Sequence, residues 1–292
     1  MHAELEGKYI INVCLTGMIG RKAHNPHLPV TAAEIAKDVE TCVALGASMV
    51  HVHARDAHEE PEWRPEAYQE ILRAIRDVSP DVIVCVSTSG RKVTDVDRRV
   101  ACTEIDPAPD MGSLTLGSIN FAREGVLNSP STVRGLAERM LARGVRPELE
   151  IFDIGMARAA ARLIEEGLAP RPAYANILLG NLGTASISPA DVAAIVSHLP
   201  ADTVRCFSGI GRDQLPANLL GLIHANGVRI GLEDNLWMDA KKTPATNAGL
   251  VERLVRMGRD LGLVPASIAD VRKVLGLRPT GAPIGAPPFN GR

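Results

Sequence analysis

The sequence predicts an α/β fold of the (β/α)8, or TIM-barrel, type. Short runs of apolar and β-branched residues alternate along the chain with longer segments of helical periodicity, as in parallel β-α-β units. Eight strands could also form an open doubly wound sheet, but the regular spacing favours the barrel. The predicted strands are Tyr9–Leu15, Met49–His53, Val82–Ser87, Met111–Leu116, Glu148–Phe152, Ala173–Leu179, Thr203–Phe207 and Gly227–Leu232.

The segments between these strands predict helices, because their apolar residues recur at 3.6-residue spacing. Thr31 and Glu34 form a capping-box pattern, and Ser188 is an N-cap residue before Pro189 at the first helical position. The last predicted helix is additional to the eight of a barrel. The predicted helices are Thr31–Leu45, Tyr68–Val78, Thr132–Arg143, Ala157–Glu166, Ser188–Leu199, Leu215–Asn226, Val251–Leu261 and Ser267–Leu275.

No linker divides the chain, so we expect residues 1–292 to form a single barrel domain. Residues 278–292 are rich in proline and glycine and predict a C-terminal tail. Such a tail is either a disordered end or an arm, and arms of this kind often pack on a neighbouring subunit.

The composition is that of an ordinary soluble protein, with 46% hydrophobic residues and 32 basic against 34 acidic side chains. This balance gives no reason to expect a nucleic acid or an acidic membrane as partner. The five cysteines lie far apart and form no CxxC pair, which favours free thiols in a reducing cytoplasm. No apolar run reaches the length of about 18 residues that a membrane span needs, and no secretory leader is evident.

The motif His51-Val-His53 lies at the C-terminal end of the second predicted strand. Side chains two residues apart share one face of a strand, and active sites of barrels lie at this end. Both imidazoles could therefore bind one metal ion. The alternative is a pair of barrel-lining histidines with ordinary hydrogen bonds.

Two adjacent carboxylates, Glu233 and Asp234, end the eighth predicted strand. Two histidines and one carboxylate complete a three-ligand catalytic zinc set that leaves a position for substrate or water. We therefore expect Glu233 to be the third ligand. The alternative is an acidic pair at a helix N-terminus, which the helix dipole would favour.

Polar and glycine-rich segments follow several other strands, at the same predicted end of the barrel. Two glycine loops, with Gly180 and Gly183 in one and Gly209 and Arg212 in the other, would suit a phosphate-bearing cofactor. Neither loop matches a P-loop or a dinucleotide fingerprint. The remaining strand-end segments are Ser87–Gly90, Gly117–Asn120, Glu150 and Asp153.

Several motifs together resemble the β-keto acid cleavage enzymes, of which the 3-keto-5-aminohexanoate cleavage enzymes are one kind. The resemblance covers nearly the whole chain. Its motifs are NPHLPVT, HVHARD, VSTSG, GSINF, PELEIFD, SGIGR, VRIGLEDNL, NAGLVERLVRMGRDLG and ADVRKVLGL.

The resemblance implies a zinc barrel that converts a β-keto acid and acetyl-CoA to acetoacetate and a new acyl-CoA. It implies that His51, His53 and Glu233 hold the zinc ion, which would act as a Lewis acid on the substrate. It also implies acetyl-CoA as co-substrate and a homotetramer. The catalytic residues that it implies are Ser87, Glu150, Arg229 and Asp234.

We assign further roles as hypotheses. Arg229 precedes Glu233 by four residues and could share its side of the strand, so that Arg229 paired with Asp234 moves the proton at C2 and stabilises oxyanions. Glu150 could act as acid and base on the other side. The substrate carboxylate could be held by Ser87, Ser113 and the amides of Gly117 and Ser118.

One residue departs from the family pattern. Members that act on amino-substituted keto acids have a carboxylate where this chain has Ile19. An apolar side chain cannot pair with an ammonium group, so we expect a substrate with an apolar or neutral tail. Arg21, Lys22 and His24 lie nearby and could instead favour a second carboxylate, although a solvated loop is the simpler interpretation.

Two other functions remain open from the residues alone. A zinc hydrolase of the amidohydrolase kind also uses an HxH pair in a barrel, but it has the pair on the first strand and further histidines on the middle strands. This chain has its pair on the second predicted strand, and no other histidine ends a predicted middle strand. A non-catalytic small-molecule-binding barrel is the second alternative, since fold does not dictate function. The presence of all three candidate ligands and the Arg229–Asp234 pair argues against it.

Overall fold

A computed structural model describes residues 2–121 and 124–280. Its centre is a ring of parallel strands in chain order, and the last strand pairs with the first from Ile10 opposite Gly227 to Val13 opposite Ile230. The sheet is therefore a closed barrel, as predicted, and not an open sheet. The barrel strands are β1 (Lys8–Cys14), β2 (Met49–Val52), β3 (Ile83–Val86), β4 (Met111–Thr115), β5 (Arg146–Ile151), β6 (Tyr174–Leu179), β7 (Val204–Gly209) and β8 (Gly227–Ile230).

A helix follows each strand, and a further helix follows the barrel. The capping box of Thr31 and Glu34 and the N-cap of Ser188 are confirmed. The helix after β3 was not predicted, because five residues are too few to show a helical period. The helices are α1 (Ala32–Ala44), α2 (Pro65–Val78), α3 (Val96–Val100), α4 (Pro130–Ala142), α5 (Ile154–Glu165), α6 (Pro189–Ser197), α7 (Gln214–His224), α8 (Asn247–Asp260) and α9 (Ile268–Leu275).

The interior of the barrel changes from apolar at the bottom to polar at the mouth. At the N-terminal ends of the strands, Ile10, Met49 and Tyr174 pack in one cluster with Val271 and Leu275 of α9. The additional C-terminal helix therefore closes the bottom of the barrel. Because apolar side chains fill that end, the polar side chains of the interior lie toward the opposite end, where the strands lead into their helices.

Two larger apolar clusters lie between the strands and the surrounding helices. One joins strands β1, β2, β3 and β8 to α1, α2 and α8, and the other joins β4 to β7 to the helices α4 to α7. All five cysteines are free and buried. Among the described residues, no helix combines the length and apolarity that would let it span a membrane. Residues 281–292, most of the predicted tail, lie outside the described part.

Candidate metal and active site

Three predicted ligands converge at the mouth of the barrel. The Nε2 atoms of His51 and His53 lie 3.2 Å apart, and His53 Nε2 lies 3.2 Å from Glu233 Oε1. His51 Nε2 lies 3.7 Å from Glu233 Oε2. Four ligands at zinc–ligand distances of about 2.0 to 2.1 Å in a tetrahedron lie about 3.3 Å from one another. The three donor groups therefore fit a zinc ion.

The local backbone explains this convergence. His51 lies in β2 and His53 directly follows it, so the two side chains, two residues apart on extended backbone, point to the same side. Glu233 lies in a turn just beyond β8, which ends at Ile230 and not at Leu232 as predicted. Gly231 has φ +147°, and a Cβ there would lie 2.2 Å from the carbonyl oxygen of Cys14. The glycine therefore lets this turn approach β1, where Glu233 N–H donates to Cys14.

The charges around the ligands favour a cation. Glu233 Oε2 is buried and accepts no hydrogen bond from the described residues. Burial lowers the pKa of His51, yet the negative charges of Glu233 and Glu148 outweigh it and raise the pKa to about 9. A buried carboxylate oxygen without a donor, beside two imidazole nitrogens, is the arrangement that a bound metal ion would satisfy.

Glu148 is a buried residue of β5 that the sequence reasoning missed as a functional group. Its Oε2 atom accepts from His51 Nδ1 at 2.7 Å and from the Cys85 thiol at 2.9 Å. Its Oε1 atom accepts from the side-chain amides of Asn12 and Asn176 at 2.8 and 2.5 Å. Burial raises the pKa of Glu148, but the opposing effects of His51 and Arg229 lower it to about 2. The carboxylate therefore holds one proton of His51 on Nδ1 and directs Nε2 toward the other two candidate ligands, where a bound metal ion would take the place of the second proton.

Arg229 is fully buried and joins three carboxylates of the site. Its Nε and Nη2 atoms donate to Asp234 at 3.0 and 3.3 Å, Nη2 donates to Glu233 at 2.8 Å, and Nη1 donates to Glu150 at 3.1 Å. Burial lowers the pKa of Arg229, but these carboxylates raise it well above its usual value. The guanidinium is therefore a fixed cation between the candidate metal ligands and Glu150.

A cavity of about 690 Å³ opens over this cluster. Its polar wall includes the predicted residues Ser87, Glu150, Arg229 and Asp234 as well as His53 and Glu233. Its remaining wall is largely apolar and includes Phe121, Phe152 and Trp237. A concave site with few convergent polar groups in an apolar wall is typical of a small-molecule site.

A family model described as beta-keto acid cleavage enzyme matches residues 8–277. The chain belongs to the β-keto acid cleavage enzyme family. It is similar to the 3-keto-5-aminohexanoate cleavage enzyme of Fusobacterium nucleatum subsp. nucleatum, with 33% identity over 93% of this chain and 98% of that protein. It is also 33% identical to the 3-oxoadipate:acetyl-CoA acetyltransferase of Cupriavidus necator, over 92% of this chain and 94% of that protein.

A solved structure supports the same fold. The ternary complex of ObcA with C4-CoA adduct and oxalate superposes with a TM-score of 0.75 at 20% identity, over 86% of this chain and 68% of that chain. At this identity the likeness shows the fold alone.

Three predicted substrate-binding residues, Ser113, Gly117 and Ser118, do not line the cavity. Ser113 Oγ accepts from the backbone N–H of Thr88. The Gly117 carbonyl accepts from the side-chain amide of Asn128, and Ser118 Oγ accepts from the backbone N–H of Asn128. Asn128 itself lines the cavity, so these residues hold the wall. Their direct contact with substrate stays a prediction.

The predicted cofactor-binding glycines have packing roles. A Cβ on Gly180 would lie 2.4 Å from Asp213 Oδ2, and one on Gly209 would lie 2.1 Å from the Asp213 carbonyl oxygen. A Cβ on Gly183 would similarly lie 2.9 Å from a backbone oxygen, and Arg212 is exposed. None of the four lines the cavity, although neighbouring residues of both loops do. Their role in binding CoA stays a prediction.

The loop after β1 has an apolar and a charged part. Ile19 lines the cavity and is 58% exposed, so its side chain is open to a ligand. Arg21 pairs with Glu60, and Lys22 pairs with Glu34, both outside the cavity lining. Of the three basic residues considered above, His24 lines the cavity. The solvated-loop interpretation therefore describes Arg21 and Lys22.

Proposed function

We propose that this protein is a zinc-dependent β-keto acid cleavage enzyme that transfers an acyl group to CoA. The observation that carries the proposal is the set of three ligand atoms, from His51, His53 and Glu233, at zinc spacing beside a buried Arg229–Asp234 pair. The names of its relatives, which include an acetyl-CoA acetyltransferase, support the reaction class. When bound, zinc supplies a Lewis acid that polarises the substrate's carbonyl and carboxylate oxygens.

The proposed reaction exchanges acyl groups between carbon and sulfur. C2 of the keto acid loses a proton and attacks the thioester carbon of acetyl-CoA, and CoA leaves as a thiolate. The thiolate then adds to the C3 ketone, and the bond between C2 and C3 breaks. C1 and C2 of the keto acid, now joined to the acetyl group, leave as acetoacetate once C2 is reprotonated. C3 and the tail of the keto acid remain on CoA as the new acyl group.

The chain's own residues divide the proton transfers. Arg229 stays protonated because three carboxylates surround it, so the proton acceptor of the pair is Asp234. Arg229 then stabilises the negative charge that develops on the substrate. Glu150, whose pKa is raised by burial against the opposing effect of Arg229, is suited to return the proton. Ser87 lines the same wall and donates to the substrate carboxylate.

The test is an assay with the purified full-length protein after its metal content has been measured. The protein is incubated with acetyl-CoA and a panel of β-keto acids, and acyl-CoA and acetoacetate are followed by mass spectrometry. We expect one zinc per chain and equal amounts of the two products. His53→Ala should lose zinc and activity, whereas the matched variant His224→Ala, at an exposed position, should keep both.

Zinc binding without acyl-CoA formation from any acid would refute the transferase function, and hydrolase assays would follow. The free cysteines support a cytoplasmic location. By family likeness alone we also propose a homotetramer, which light scattering of the purified protein would test.

A further inference from the structure

A second arginine, Arg91, faces the same cavity and has no role in the reaction above. It follows β3, and its guanidinium carbon lies 3.9 Å from the centroid of the Phe121 ring. Its side chain is only 12% exposed. A cation that is largely removed from water and stacked on an aromatic ring is held in place, unlike a solvated surface arginine.

Arg91 is incompletely paired within the part of the chain that the structure describes. Its closest ion-pair contact is from Nε to Glu124 Oε1 at 3.1 Å, and Glu124 is itself 41% exposed. Its Nη1 and Nη2 atoms donate no hydrogen bond to the described residues, whereas Arg229 is bound by three carboxylates. The outer edge of the Arg91 guanidinium is therefore available to a ligand.

The position of this edge matches the far end of a substrate. Arg91 lines the cavity together with His53 and Glu233, two of the three candidate metal ligands. Burial lowers the pKa of Arg91, and the charges of Glu124 and Glu233 oppose this effect. A small molecule bound at the metal cluster could therefore reach Arg91 with its tail.

We propose that Arg91 binds a carboxylate at the distal end of the keto acid, so that the preferred substrate is a β-keto dicarboxylate. This inference rests on the proposed function. The outer edge of a guanidinium presents two parallel N–H donors that match the two oxygens of a carboxylate. The same cation repels an ammonium tail, in agreement with the absence of a carboxylate at position 19. We therefore expect the substrate to have an acidic tail, and not the apolar or neutral tail that Ile19 alone predicts.

The test compares three six-carbon β-keto acids that differ in the charge of the tail. They are 3-oxoadipate, 3-oxohexanoate and 3-keto-5-aminohexanoate, each assayed with acetyl-CoA and the zinc-loaded full chain. We expect kcat/KM to be highest for 3-oxoadipate. In Arg91→Met, the ratio of kcat/KM for 3-oxoadipate to that for 3-oxohexanoate should fall by about 10- to 100-fold, because a hydrogen-bonded charge pair is lost. Most of the change should appear in KM.

Two matched variants separate binding from a structural role. Glu124→Gln removes the acidic partner of Arg91 and should raise the same ratio. If the ion pair had only a structural role, the ratio would fall in both Glu124→Gln and Arg91→Met. Lys92→Met removes an exposed neighbouring cation outside the cavity and should leave the ratio unchanged. Zinc content and thermal unfolding of each variant are measured alongside.

The outcomes distinguish this inference from the proposed function. If 3-oxohexanoate or 3-keto-5-aminohexanoate is preferred to 3-oxoadipate, or if Arg91→Met leaves the ratio unchanged, the inference is wrong and the proposed function stands. If none of the acids reacts, the function fails, and calorimetry with adipate and hexanoate decides the inference. Tighter binding of adipate that is lost in Arg91→Met would support it, and equal binding of the two acids would overturn it.

Discussion

Replacing Glu148 with glutamine tests how the proposed metal site is organised. The carboxylate accepts four hydrogen bonds, two at each oxygen, and one of them comes from His51 Nδ1 at 2.7 Å. A glutamine keeps the shape of the side chain but has only one acceptor oxygen. Its NH2 group takes the place of the other oxygen, and there it faces either His51 and Cys85 or the amides of Asn12 and Asn176. If that side is His51, the imidazole proton moves to Nε2, the atom proposed to bind zinc.

The expected effect follows from this hydrogen bond. Loss of a charged partner behind a metal-binding histidine typically weakens metal affinity by about 10- to 100-fold. That corresponds to about 1.4 to 2.7 kcal/mol. The dissociation constant of zinc is measured by competition with a chromogenic chelator at fixed pH, for the original chain and for Glu148→Gln.

The control removes two hydrogen bonds from the same buried network without touching His51. The Tyr174 hydroxyl accepts from Asn12 at 3.1 Å and donates to Asn176 at 3.2 Å. Tyr174→Phe should therefore lower the free energy of unfolding by about 1 kcal/mol and leave zinc affinity unchanged. Unchanged zinc affinity in Glu148→Gln, or an equal loss in both variants, would refute the proposed orientation of His51.

Three further changes test the remaining parts of the site. Cys85→Ala should keep one zinc per chain. Cys85, His51 and Glu148 are also close enough to hold a metal, so loss of zinc in this variant would show that the metal binds at that deeper group. Asp234→Asn should lower kcat by about 100- to 10,000-fold, because an amide cannot accept the proton from C2, and zinc content by metal analysis should not change. Ile19→Glu should raise kcat/KM for 3-keto-5-aminohexanoate relative to 3-oxohexanoate by at least about 10-fold, whereas Ile19→Gln should not, and equal effects would exclude charge as the cause.

The fold was predictable because each of its units has a local cause. Every barrel strand is a short segment of four to seven residues, most of them rich in apolar side chains. Most helices begin at residues whose capping chemistry is visible in the sequence, such as Thr31 and Ser188. The short helix Val96–Val100 was missed since one and a half turns carry no periodic pattern. Barrel closure depends on pairing between β1 and β8, more than 200 residues apart, and only the structure decided it.

The convergence of the three candidate metal ligands was predictable for a similar reason. The two-residue spacing of His51 and His53 fixes a common face, and Glu233 follows the strand that a barrel brings beside β1. Alternation along a strand and the position of strand ends are properties of the sequence itself.

Glu148 and Arg91 could not be predicted in this way. Glu148 looks like any polar residue at the start of a strand, and its contact with His51 depends on packing across the barrel, 97 positions away. Arg91 follows a glycine in a polar loop, and its place over Phe121 depends on how two loops meet. The sequence by itself determined which side chains stand at strand ends, because backbone periodicity is local. Only the tertiary structure decided which of them meet across the barrel, because those contacts arise from long-range packing.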